Sequence, residues 1–244
     1  MIDQKEIQTK TVGDLVAKDY RAAGVFKQYG IDFCCGGKKT VAEVCNQKGV
    51  PLAELEDKLV RLEERPSGQR LQFNEWALPF LIDYIINIHH TYVQEKLPQL
   101  LEYSRKVARV HGHAYPETVT IAGKLELLAE ELFAHLRKEE LILFPYVKEM
   151  WKAKEAGETV AAPPFHSAQN PIRVMEHEHE SAGSTMAEIR QLSNGFTPPE
   201  GACNTYRVLY ALLQEFEEDL HQHVHLENNI LFPHAVELEG ALRI

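Results

Sequence analysis

One motif occurs twice in this chain, and it fixes much of what the chain can become. His135-Leu-Arg-Lys-Glu139-Glu-Leu-Ile-Leu-Phe-Pro145 returns as His223-Val-His-Leu-Glu227-Asn-Asn-Ile-Leu-Phe-Pro233, each copy a His-x3-Glu pair followed by Ile-Leu-Phe-Pro. On an α-helix, residues four apart are separated by about 40° around the axis, so each histidine and its glutamate project from one face, one turn apart. This is a metal-ligand spacing.

The flanking apolar residues show where that face points. The first copy continues the stripe Ile121, Leu125, Leu128, Leu132 into His135, Glu139 and Ile142; the second continues Leu209, Leu213, Phe216, Leu220 into His223, Glu227 and Ile230. The steps alternate between three and four, as in a bundle helix, so all four polar residues occupy core positions. Burying a carboxylate costs several kcal/mol unless it is paired or bound to a cation. Two His/Glu pairs in matching core positions therefore call for one shared cause, and a metal centre between helices supplies it.

The rest of the chain is read around this pair. Apolar positions from Thr11 to Tyr29 form a helical stretch stopped at Gly30, and Gly30-Ile-Asp-Phe-Cys34-Cys35-Gly36-Gly37-Lys38-Lys39 is a turn with adjacent thiols. Thr40-Val-Ala-Glu43 is a capping box opening a helix that ends near Gly49, and Leu52 to Leu62 forms another. Arg65-Pro-Ser-Gly-Gln69 reads as a linker, which divides the chain into a small helical domain at 1–65, a linker at 66–72 and a bundle at 73–244.

Four long amphipathic helices follow, at about Asn74–Val110 with a kink at Pro98, Val119–Lys152 bent or interrupted at Pro145, Pro171–Leu192, and Ala202–Glu239. Ala153 to Asn170, with Gly157 and Pro163-Pro164, is the crossover between two hairpins. The fold class is all-α, an antiparallel up-down four-helix bundle preceded by a small helical domain.

The third helix carries the stripe Ile172, Met175, His179, Ala182, Met186, Ile189, which includes His179 and excludes His177. On the first helix the row Ile82, Ile86, His90, Val93, Leu97 is apolar around His90, whereas the row through His89 leads to Tyr92 and Lys96. The interval between the motif copies fits His89 with His177 at least as well as His90 with His179, so the stripe decides for His90. The resulting set is His90, His135, Glu139, His179, His223 and Glu227. Four imidazoles and two carboxylates suit two metal ions with the glutamates bridging, and donors without sulfur suit iron or manganese, with zinc still open.

Acidic residues outnumber basic ones 36 to 26, for a net charge of −10, and the basic residues form no long run, so nucleic acid and anionic membrane are poor partners. No apolar run spans a membrane and no export signal opens the chain, so a cytoplasmic protein with reduced thiols is expected. Cys34 and Cys35, followed by Lys38 and Lys39 whose charge could favour thiolates, are either a redox or iron-transfer pair or two small residues packed in a turn, the family likeness below favouring the pair, while Cys45 and Cys203 are structural. Glu131, one turn before His135, and Glu178, next to His179, are expected to orient a ligand, relay protons or line a channel. His177, His221 and His225 are either accessory ligands or surface residues.

Taken together, the paired His-x3-Glu segments, Met175-Glu-His-Glu-His179 and Asp32-Phe-Cys34-Cys35-Gly36-Gly37 resemble the RIC family, the iron-sulfur cluster repair di-iron proteins. The likeness covers nearly the whole chain, and its two motifs are specific when found together. It implies a hemerythrin-like bundle holding two non-haem irons, carboxylate- and oxo-bridged, on the six residues already reached. It also implies repair of iron-sulfur clusters damaged by nitric oxide or oxidants, with damaged iron-sulfur proteins as clients, and dimerisation. Whether repair proceeds by iron donation or by reduction of nitric oxide, which would make the protein an enzyme, stays open. A hemerythrin-like carrier or sensor of oxygen or nitric oxide is the alternative, against which the double-cysteine module argues. An iron-storage or oxidase bundle is the third, and its usual Glu-x-x-His pattern is not the one found here.

Overall fold

The computed structural model describes residues 7–64 and 71–242. The expected linker at Arg65–Gln69 falls outside them. Four short helices come first: α1 (Val12–Lys18), α2 (Arg21–Gln28), α3 (Val41–Lys48) and α4 (Leu52–Glu64). Thr40 forms the expected capping box with Glu43. The single helical stretch expected across Thr11–Tyr29 is instead two helices. Asp19 ends α1, its carboxylate accepting the Arg21 N–H at 3.1 Å and holding the Arg21 guanidinium. That local bond competes with helix continuation and turns the chain.

The bundle has four rods. The first is α5 (Leu78–Tyr84), a π turn (Ile85–His90) and α6 (Thr91–His111); the second is α7 (Glu117–Lys138), a π turn (Glu139–Leu143) and α8 (Phe144–Ala156). The third is α9 (Gln169–Leu192), and the fourth is α10 (Asn204–Leu226), a π turn (Glu227–Leu231) and α11 (Phe232–Leu242). The rod α6 packs against α7 and α10, and α9 against α7, as in an up-down bundle. Pro98 lies within α6, which runs on through it. Pro145 and Pro233 stand just after the second and third π turns. Each lacks the N–H that would bond four residues back, and the wider i→i+5 turn absorbs the defect.

The buried side chains form two apolar clusters along the rods. One contains Val93–Val107, Ile121–Leu136, Ala182–Ile189 and Tyr206–Val224 together with the small helices; the other contains Phe73–Ile85, Leu143–Met150, Ala168–Met175 and Leu226–Leu238. Each rod crosses once from one to the other, at His90, at His135–Glu139, at His179 and at His223–Glu227. The six polar residues are thus a layer between two oily halves. The motif copies differ in their cover: α1 packs on the third π turn, where Ile230 is buried, whereas Leu141 is 73% and Ile142 47% exposed. The core position expected for Ile142 is therefore wrong, and Leu143 fills it.

The small helices dock on the fourth rod. Asn229 donates to the carbonyls of Phe33 and Cys34, both at 3.2 Å, and to His225 Nδ1 at 3.0 Å. His225 is buried between the Tyr20 and Phe33 rings, and burial pushes its pKa down to about 4. It is therefore not a surface residue, and it belongs to neither donor group of the polar layer. Lys38 and Lys27 add ion pairs to Glu176 and Glu218. In the crossover, the buried Glu239 carboxylate accepts from Tyr146 Oη at 2.8 Å, Ser167 Oγ at 2.6 Å and the Ala168 N–H, pinning the segment to α11.

This docking needs bare backbone at Gly37. A Cβ there would stand 2.5 Å from Asn229 Oδ1 and 2.6 Å from the Phe33 carbonyl. Gly37→Ala is expected to lower stability by about 1–3 kcal/mol. Gly123→Ala, within α7 and with nothing within 4 Å of its Cβ, is expected to be neutral or to stabilise by up to about 1 kcal/mol. Denaturant midpoints measure both, and an unchanged midpoint for Gly37→Ala would contradict the close approach.

Candidate metal centre

Six side chains from the four rods converge in the polar layer. His90, Glu139, His223 and Glu227 form one group and His135, Glu139, His179 and Glu227 another, each with its donor atoms within 4.8 Å of one another and every member buried. Both glutamates belong to both groups. His223 Nε2 lies 3.1 Å from Glu227 Oε1 and His179 Nε2 3.1 Å from Glu227 Oε2, while His135 Nε2 and His90 Nε2 lie 3.3 and 3.5 Å from Glu139 Oε2. The Nε2 atoms of His135 and His179 are only 3.0 Å apart.

Three of the four imidazoles are held from behind. His90 Nδ1 is 2.8 Å from Glu140 Oε1, His135 Nδ1 2.8 Å from Glu178 Oε2, and His179 Nδ1 2.8 Å from Asn228 Oδ1. An Nδ1–H given to an outer oxygen leaves the Nε2 lone pair facing inward, as a metal requires. Aromatic rings brace two of these histidines: Phe144 stacks on His90 and Phe232 on His179. The Phe of each motif copy thus supports the histidine of the preceding rod.

The electrostatics are those of a site built for positive charge. Burial pulls the His135 imidazole down, but Glu139 and then Glu178 outweigh it and hold its pKa at about 10. His90 is raised in the same way, against its burial, by Glu227 and Glu139. Burial lowers His223. It also opposes ionisation of Glu227, whose neighbouring His223, His179 and His90 nevertheless keep it well below the ordinary carboxylate range. His135, then Lys138, hold Glu178 down to about 2. Glu139 is the clearest test of fit: it is fully buried, and neither of its oxygens accepts a hydrogen bond. Among the described residues only the ion pairs with His135 and His90 compensate it, and bound cations shared with Glu227 would answer both oxygens.

All six expected ligand positions are brought together. His177 is exposed, so the stripe separated it correctly from His179. His90 belongs to a donor group and His89 to neither, although His89 too is buried beside it. Glu178 lies behind His135. Glu131 does not reach the layer: the core lies on the Leu132–Leu136 side of His135, and Glu131 falls on the other side, exposed. Glu140 and Asn228 were missed, although both immediately follow the motif glutamate and that position is polar in both copies.

Cys34 and Cys35 stand at the docking surface with their sulfurs 3.9 Å apart. Asp32 shapes this turn, accepting from the Cys34, Cys35 and Gly36 N–H groups. The expectation that lysines favour thiolates fails for Cys34. Lys38 is taken up by Glu176 and Lys39 by Gln47, while the adjacent Cys35, burial and Asp32 push the Cys34 thiol well up.

Two predictions follow from this geometry. Because His135 must lose the proton it holds up to a pKa of about 10 before its Nε2 can bind a cation, apparent metal affinity should rise with pH through the neutral range. Calorimetry in buffers of different ionisation enthalpy should show net proton release, and a pH-independent affinity would contradict the assignment. Glu178→Gln and Asn228→Leu, which disturb the outer bonds of His135 and His179, should each weaken metal binding by about 10–100-fold in chelator competition.

Comparison with known proteins agrees with this architecture. Residues 81–235 match the hemerythrin HHE cation binding domain, and residues 8–63 match a domain of unknown function, ScdA_N. The chain is 40% identical over 227 residues to the iron-sulfur cluster repair protein YtfE of Pectobacterium atrosepticum, covering 93% of this chain and 96% of that one. It is 38% identical to the protein of that name from Musicola paradisiaca and 37% identical to that from Yersinia pestis, in both cases over 95% of this chain and 98% of the relative. No helix among the described residues is long and apolar enough to cross a membrane. Through residues 81–235, which hold the bundle and its buried His/Glu layer, the chain belongs to the hemerythrin HHE cation-binding family, and over nearly its whole length it belongs to the YtfE family of iron-sulfur cluster repair proteins.

Proposed function

We propose that this protein restores iron-sulfur clusters damaged by nitrosative or oxidative stress, acting in the cytoplasm on damaged iron-sulfur proteins by iron donation, nitric oxide reduction or both. The observation that carries the reading is the pair of four-residue groups sharing Glu139 and Glu227. Two histidines and two shared carboxylates per ion make a nitrogen and oxygen donor set suited to iron. The printed function of the YtfE relatives supports the same reading.

In this reading His90 and His223 would hold one non-haem iron and His135 and His179 the other, with Glu139 and Glu227 available to both. Iron bound there would supply one-electron chemistry and affinity for nitric oxide or oxygen. The chain's own residues prepare that place. Glu140, Glu178 and Asn228 fix three imidazoles in the tautomer that faces inward, and the apolar clusters on both sides keep bulk water out. Cys34 and Cys35 form the thiol pair of the module at 1–65, joined through 66–72 to the bundle at 73–244.

The test is anaerobic reconstitution with iron, followed by incubation with an iron-sulfur enzyme inactivated by nitric oxide. About two irons per chain are expected, with recovery of the client's activity. His135→Ala and Glu227→Ala should lose both iron and recovery. Binding of nitric oxide with neither client recovery nor iron release would make the protein a gas binder instead.

A further inference from the structure

His223 is the exception among the four inward-facing histidines. Its Nε2 meets Glu227, yet its Nδ1 is buried without a hydrogen-bond partner, where the other three rings have an outer oxygen at 2.8 Å. Two imidazoles meet its ring: His90, tilted 56° with centroids 4.9 Å apart and itself a member of the donor group, and His89, the only one stacked on it. The His89 ring lies parallel to it, with centroids 5.5 Å apart and planes 7° from each other, within the range of offset stacking. His89 is 2% exposed and belongs to neither donor group.

His89 is in turn anchored. Its Nδ1 lies 2.9 Å from Asp219 Oδ1, and the Tyr84 ring meets it edge-on at 5.7 Å. Asp219 sits one turn before His223 on α10, so the rod that carries His223 also carries the carboxylate holding the ring that braces it. The π turn Ile85–His90 makes the arrangement feasible. In a regular helix neighbouring side chains diverge by about 100°, but the wider turn lets both His89 and His90 face the interior.

We propose that His89, fixed by Asp219, is the positioning residue for His223: its stacked ring sets the orientation that hydrogen bonds set for His90, His135 and His179. The proposal rests on the metal reading only in taking His223 as a ligand. The ring placement itself is a property of the metal-free chain and is measured there first. Histidine side-chain NMR of the metal-free protein should show one ordered state for His223. His89→Ala should broaden or split those signals and leave those of His179 unchanged. Asp219→Leu, at a partly exposed position, should do the same without emptying the core, and Asp219→Asn, which keeps an oxygen acceptor, should restore the wild-type signals. In the iron-loaded protein, His89→Ala and Asp219→Leu should weaken binding in chelator competition by about tenfold or more and alter the absorption spectrum, while Asp219→Asn should not. Unchanged His223 signals in both His89→Ala and Asp219→Leu would overturn the proposal. Failure of the wild-type chain to take up iron would instead remove the metal reading, with the NMR comparison still deciding whether His89 orders His223.

Discussion

Two carboxylates with no access to water govern this fold. Glu139 and Glu227 are both fully buried at the centre of the bundle, and two negative charges there stand only with matching positive charge around them. His135 and His90 supply part of it, and their raised pKa values record the strength of the attraction. Much else answers to this pair. The apolar core divides into two clusters with the polar layer between, and the helices widen into π turns where that layer is crossed on three of the four rods. The third rod crosses as a regular helix and contributes a single residue, His179.

The duplicated motif serves the neighbouring rod as much as its own. Glu140 and Phe144 support His90, and Asn228 and Phe232 support His179, through the same two motif positions. The motif's own histidines are handled differently: His135 leans on Glu178, while His223 lies against His89. The near-symmetry of the sequence is therefore kept for the first and third rods and broken for the second and fourth.

The bundle, its crossover and the six convergent residues were legible because helical periodicity carries the direction of every side chain along a regular rod. What was not legible lies where that periodicity changes. A fixed step per residue forced a choice between His89 and His90, and the π turn admits both. It placed Ile142 in the core, and the π turn at Glu139–Leu143 gives that place to Leu143. Glu131 has the right separation from His135 but lies off the buried side, which only the position of Leu132 and Leu136 reveals. The break at Asp19 depends on one side-chain bond within the turn, and the burial of His225 depends on a module docking from elsewhere in the chain, which no local pattern encodes.

Asn229 gives that docking a mechanical meaning. It follows Glu227 by two residues in the same π turn, and its amide grips the carbonyls of Phe33 and Cys34. The thiol turn and the interior carboxylate therefore share one short lever. Displacing the small module would break bonds made by the very turn that carries Glu227, with no long pathway between the two.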